Sequence, residues 1–235
     1  MTEKRPLAEA IFRWLADQNA VIEALTRLGI PQRAIIEIGN GFCCVLPGHD
    51  ERRPSAALYR GDNGLILYAC WHGRSGTGPD WYFPAEVLAS QAYGKAVKLN
   101  RPELAAWTLR QLVEIGFLAP APVPYVDLPA GATQAVSKVY EGFRLLLGCK
   151  WLHTPGAPSA FSWRFASAWC DVTYRLAGDA IKYLLGSGHL LPAGKQTRRG
   201  RELTVFLPGT VRDVTIRKVK TVFPGAREIH AEDDN

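Results

Sequence analysis

Two cysteine and histidine clusters, set at the two ends of one hairpin-like stretch, constrain this chain more than any other feature. Residues 41–78 read GFCCVLPGHDERRPSAALYRGDNGLILYACWHGRSGTG. Cys44 and His49 stand near its start and Cys70 and His72 near its end, with two strand-like runs flanking an Asp62-Asn63-Gly64 turn between them. Soft ligands at both ends of a hairpin are the layout of a small zinc ribbon, in which a bound ion replaces a core too small to hold itself together. Residues two apart on a strand point to one face, so Cys70 and His72 can chelate together, and Cys43 is the other candidate for a fourth ligand. The pattern also fits a ribbon that folds without metal, its cysteines serving as ordinary buried residues.

The ordered run His49-Asp50-Glu51-Arg52-Arg53-Pro54-Ser55, followed by Tyr68-Ala69-Cys70 and a glycine-rich exit, resembles the zinc-binding domain of bacterial DnaG-type primases over about residues 20–98. In that family a Cys and a His open the site, a charged segment ending in Pro-Ser leads into the hairpin, and a Cys-x-x-Cys knuckle closes it. The resemblance implies that Cys44, His49 and Cys70 hold zinc. The fourth family position carries Gly73 here, with His72 one residue earlier. It also implies a place in DNA replication.

Composition limits the alternatives. Five cysteines leave one unpaired, the N-terminus does not read as a signal peptide, and no apolar run reaches membrane-spanning length, which together point to a reducing cytoplasm rather than a disulfide framework. With 235 residues, 47% of them hydrophobic, the chain can bury two modest cores. Lys and Arg exceed Asp and Glu by 28 to 22, a net +6 that permits nucleic-acid binding, so the placement of the charge matters more than the sum.

Apolar spacing predicts one or two helices over Pro6 to Gly29, stopped by Gly29 and Pro31, then a weakly alternating segment from Arg33 to Phe42. Two more helices are predicted after the ribbon, Pro84 to Leu99 and Pro102 to Phe117, the second opened by Asn100. Their apolar residues, including Leu104, Trp107, Leu109, Leu112 and Val113, need the ribbon sheet to cover. Trp81, Tyr82 and Phe83 read as core packing in preference to base stacking. Residues 119–132, LAPAPVPYVDLPAG, are too rich in proline for a helix and read as a semi-rigid linker.

Beyond it, helices are predicted over Thr133 to Leu147 and near Ser162 to Trp169. Cys170-Asp171-Val172 forms a turn, and Thr173 caps a third helix running to Leu185. Two strands follow, His189 to Leu191 and Leu203 to Leu207, joined by Pro192 to Glu202. Over about residues 133–208 this order resembles the winged-helix superfamily. In that phasing Leu176, Ala177, Ala180, Ile181, Leu184 and Leu185 face the core, while Tyr174, Arg175, Asp179 and Lys182 face outward. Tyr174 and Arg175 are the candidates for base edges and Lys182 for the backbone. Lys195, Arg198, Arg199 and Arg201, in a seven-residue tip without an acid, are placed to grip phosphate. Val211 to Phe223 alternates as one more strand, and Glu228 to Asn235 is an acidic tail.

The expectation is therefore an α+β chain: a zinc-ribbon-like small sheet with flanking helices over residues 1–118, a linker over 119–132, and a winged-helix domain over 133–235. Its implied role is a DNA-binding replication protein from a plasmid, phage or other mobile element. Single-stranded and duplex DNA, and a primase core or helicase, are its implied partners; no phosphate loop, serine elbow or cluster of paired acids marks a polymerising centre. A sequence-specific transcriptional or copy-number regulator is the second reading. A metal-dependent phosphodiesterase using His49, Asp50, Glu51 and His72 is the third.

Overall fold

The computed structural model describes residues 4–26, 38–49, 52–72, 78–198 and 200–214. The chain is α+β, combining helices with two small antiparallel sheets. It divides into two compact units, one made of Met1–Ala121 with Gly148–Gly156 and the other of Pro122–Leu147 with Ala157–Asn235. Among the described residues no helix is long and apolar enough to cross a membrane.

The first unit begins with α1 (Lys4–Ala16) and α2 (Gln18–Thr26). A four-stranded meander follows, β1 (Gly41–Phe42), β2 (Ala56–Arg60), β3 (Ile66–Cys70) and β4 (Asp80–Tyr82), in sheet order β1-β2-β3-β4. The β2–β3 turn forms where an Asn-Gly pair predicts it: Asn63 Oδ1 accepts from the Leu65 N–H, and Gly64 takes φ 77°, which glycine adopts without steric cost. Arg60 donates to the carbonyls of Gly64 and Ala16, tying this turn to the end of α1.

Strand alternation sorts the sheet into two faces. Phe42, Ala56, Leu58, Ile66, Tyr68, Cys70 and Tyr82 pack inward with Val21, Ile22 and Leu25 of α2 and with Val87 of α3 (Pro84–Tyr93). Each such buried side chain contributes about 1.5–3 kcal/mol, so this shared core holds helices and sheet together. α4 (Arg101–Glu114) is capped by the Asn100 side chain, which accepts from the Glu103 N–H. It packs on α3 and α1, and Trp107, Leu109 and Leu112 are its buried residues among those expected to cover the sheet, while Leu104 and Val113 are half-buried. α3 stops at Gly94, short of Leu99; the Glu86 carboxylate then accepts from the Leu99 N–H and holds the connection to α4.

The second unit is built on α5 (Gln134–Trp151), whose last turn belongs to the first unit. β5 (Ser159–Ala160), α6 (Trp163–Cys170), α7 (Tyr174–Gly186), β6 (Leu190–Arg198) and β7 (Arg201–Pro208) follow, with sheet order β5-β7-β6. Ser162 caps α6 and Thr173 caps α7, and Asp171 makes the tight turn between them with φ 50°. Phe143, Phe161, Phe165 and Trp169 form a chain of ring contacts in the core, with Phe206 edge-on to Phe143, and Ile181 and Leu184 of α7 are buried as well. The Trp169 indole N–H donates to the Gly142 carbonyl, where a Cβ would collide with Cys170, so α5 and α6 touch backbone to side chain.

Several expectations are corrected. α5 continues past Leu147 because a glycine at 148 lets residues 120 and 121 lie against the helix: a Cβ there would stand 2.9 Å from the Ala121 carbonyl, and the Ala121 N–H donates to the Gly148 carbonyl. The proline-rich stretch, expected as a semi-rigid linker, is held by hydrogen bonds at several points. Arg144 donates to the carbonyls of Val123 and Pro124, the Tyr140 hydroxyl accepts from the Val126 N–H, and the His189 Nε2 meets the Asp127 carbonyl. Pro192 to Glu202 is not a loop but most of a long hairpin; a register shift between Pro192 and Lys195 absorbs the proline, and the pairing runs out to Arg198 and Arg201. Leu176 is 46% exposed, because the core stripe of α7 runs through Ala177, Ala180, Ile181 and Leu184 and leaves position 176 about a quarter turn outside it. Residues 211–214 are helical rather than extended. Gly29, Pro31, residues 33–37, Asp50, Glu51, Gly73, Arg199 and everything beyond Val214 lie outside the described residues.

Candidate metal centre and nucleic-acid surfaces

Cys70 ends β3 on the inward face, and Cys44 follows β1 at the same end of the sheet. The loop after Cys44 returns His49 to both: its Nδ1 lies 3.1 Å from the Cys44 sulfur and 3.3 Å from the Cys70 sulfur, and the two sulfurs are 3.4 Å apart. Cys44, His49 and Cys70 thus form a nearly equilateral triangle of soft donors, able to hold a metal ion. Both sulfurs also accept hydrogen bonds, Cys44 from the Tyr68 hydroxyl at 3.1 Å and Cys70 from the His72 backbone N–H at 3.4 Å. Sulfurs that accept such bonds suit the thiolate form a metal requires. Burial, reinforced by the bond to the Cys44 sulfur, pushes the Tyr68 hydroxyl far above its ordinary range, so it stays a donor.

The ring of His72, expected as a fourth ligand, stacks on His49, centroids 4.1 Å apart and planes inclined by 22°. Cys43 is exposed and points away, as alternation next to Cys44 requires.

The outer face of the same sheet carries a feature that the sequence alone assigns to the core. Tyr59, Trp71 and Trp81 share this face with Ala57 and Ala69, which pair at its centre. Tyr59 meets both tryptophans edge to face, each at 5.7 Å, so the rings gather around a floor of two alanines that are 2% and 0% exposed. Trp71 and Trp81 remain 40% and 45% exposed, while Tyr82, one residue on, faces inward. The signal was available: Trp71 follows Cys70 on an extended strand, so a ligand facing inward turns it outward. The Ser55 carbonyl accepts from the Trp71 N–H, and Arg52 and Arg53, a few residues earlier in the chain, are exposed.

In the second unit the candidate DNA-binding residues of α7 do lie on the surface. Tyr174 is exposed, its ring 5.8 Å from Trp163 edge to face. Arg175 and Lys182 are exposed but share an acid, each 3.9 Å from Asp179, and Lys182 also sits 5.0 Å from the Trp163 ring. Lys195 pairs with Glu202 across the hairpin at 2.6 Å. Arg198 ends β6 and Arg201 opens β7, at the far end of the hairpin. Comparison of the chain with protein-family models, curated proteins and solved structures finds no match.

Proposed function

We propose that this chain is a two-unit DNA-binding protein of replication, with a zinc-ribbon module like that of DnaG-type primases and a winged-helix module, acting beside a primase core or helicase that supplies the chemistry. The observation that carries this reading is the outer sheet face, on which Tyr59, Trp71 and Trp81 stand exposed or half-exposed, with the exposed Arg52 and Arg53 shortly before β2 in the chain. Aromatic rings on an open sheet offer stacking surfaces to unpaired bases, and adjoining arginines offer charge to the phosphates.

Zinc fits the donor set. A tetrahedral ion with bonds of about 2.3 Å to sulfur and about 2.0 Å to nitrogen separates two sulfurs by about 3.8 Å and sulfur from nitrogen by about 3.5 Å. The separations of 3.4 Å, 3.1 Å and 3.3 Å are within a few tenths of an ångström of these values. For the second unit, the order α5-β5-α6-α7-β6-β7 with sheet order β5-β7-β6 supports a winged helix, the end of whose hairpin falls among Arg198, Arg199 and Arg201 in the sequence.

The test is binding of the full chain to labelled single-stranded and duplex DNA. Trp81→Ala is expected to weaken single-strand binding by about 1–3 kcal/mol, the value of one stacked base, and to leave duplex binding unchanged. A parent chain that binds duplex of one sequence and ignores single strands supports the regulator reading instead.

A further inference from the structure

We infer that Tyr68 is a positioning residue of the metal centre, tuning the Cys44 sulfur from outside the ligand set; the inference rests on the metal reading above. Tyr68 is fully buried in the middle of β3, paired with Leu58 and Tyr82, a place where an ordinary core needs only a ring. Its hydroxyl nevertheless makes two bonds of 3.1 Å, donating to the Cys44 sulfur and accepting from the Val45 N–H. The next polar group along is also held: the Val45 carbonyl accepts from the side-chain amide of Gln91 on α3. Val45, the residue that follows Cys44, is therefore clamped at its N–H by the sheet and at its carbonyl by a helix.

The two clamps do different things. Both fix where Cys44 sits, but Tyr68 alone places a proton on the sulfur. A hydrogen bond to a thiolate withdraws electron density and stabilises the sulfur lone pairs, so removing it raises their energy. Phenylalanine keeps the ring, its edge contact with Phe42 at 5.6 Å and the packing against Tyr82, and deletes only the donor.

Cobalt(II) titration of the full chain, followed by its thiolate-to-metal charge-transfer absorption, separates these roles. Tyr68→Phe is expected to take up one cobalt with affinity lowered about tenfold or more and with the charge-transfer band moved to lower energy. Gln91→Leu, which loosens the loop without touching the sulfur, is expected to lower affinity and leave the band in place. A Tyr68→Phe chain with the parent's affinity and band overturns the inference. So does a Gln91→Leu chain that shifts the band as Tyr68→Phe does, because loop position would then account for both. If Tyr68→Phe does not fold, a Gln91→Leu chain whose band shifts overturns the inference by itself, because loop position alone would then set the band. A parent chain that develops no charge-transfer band removes the metal reading itself, a different failure from either.

Discussion

The Nε of Arg175 lies 3.9 Å from an Asp179 carboxylate oxygen one turn further along α7. Lys182 reaches the same carboxylate from the other side, at 3.9 Å. Pairs this exposed on a helix contribute only about 0.3–0.5 kcal/mol, so stability does not explain the acid. Its larger effect is on an approaching polyanion: it cancels part of the charge that α7 presents.

That relationship gives the first prediction. Asp179→Asn removes one negative charge and releases two cations, so duplex affinity is expected to rise and the logarithmic salt slope to steepen by about one unit. Isothermal affinity measurements over a range of salt check it. An unchanged slope would mean that α7 does not lie against phosphate.

The second prediction concerns the ion. Parent protein purified without chelator is expected to carry about one zinc per chain, and Cys70→Ser to lose it and melt at a lower temperature, because ligands gathered by the fold return their binding energy to the fold. Metal analysis with thermal melting decides. Metal-free parent protein with a Cys70→Ser melt identical to its own would establish a ribbon that stands without an ion.

Much of this architecture was written in local sequence. Asn63-Gly64 specifies its turn and Asn100, Ser162 and Thr173 specify their caps, because each signal acts within a few residues; Cys44, His49 and Cys70 are legible as a cluster because that turn brings the two ends of the hairpin together. What escaped depends on partners far away in the chain. Gly148 reads as a helix stop until residues 120 and 121 are seen lying against it. Pro192 and Gly194 read as a loop until β7 pairs across them with a shifted register. The parity of Trp81 depends on pairing with Ala69, and the stacking of the His72 ring depends on where the loop after Cys44 brings His49. Apolar content says that a residue will be covered; only the register of a sheet says by what.

The third prediction follows from burial of the Cys149 thiol, which is pushed up to about 12 from 9.0. The folded thiol keeps its proton where the unfolded one loses it, so this group's contribution is full below pH 9.0 and declines as pH climbs toward about 12. Melting temperature is accordingly expected to fall with rising alkaline pH, and less steeply in Cys149→Ala. Thiol alkylation offers a second check: the exposed Cys43 is expected to react first, and Cys149 only on unfolding.

The last prediction separates grip from reading in the second unit. Arg198 and Arg201 are the last paired residues at the end of a long hairpin, and Arg199 lies between them in the sequence. Alanine at any one of them is expected to weaken binding to every duplex alike and to lower the salt slope by about one unit, as one lost phosphate contact does. Arg175→Ala is expected to cost about 1–3 kcal/mol on a selected site and little on random duplex, because a bidentate contact to a base edge carries sequence information that a phosphate contact lacks. Salt titrations of each variant on both duplexes make the comparison. Tip variants that match the parent at every salt concentration would reduce the hairpin to a structural turn and remove the winged-helix reading. An Arg175 variant that loses affinity equally on both duplexes would leave that reading in place and reassign the arginine to the backbone, where its pairing with Asp179 already weakens its hold.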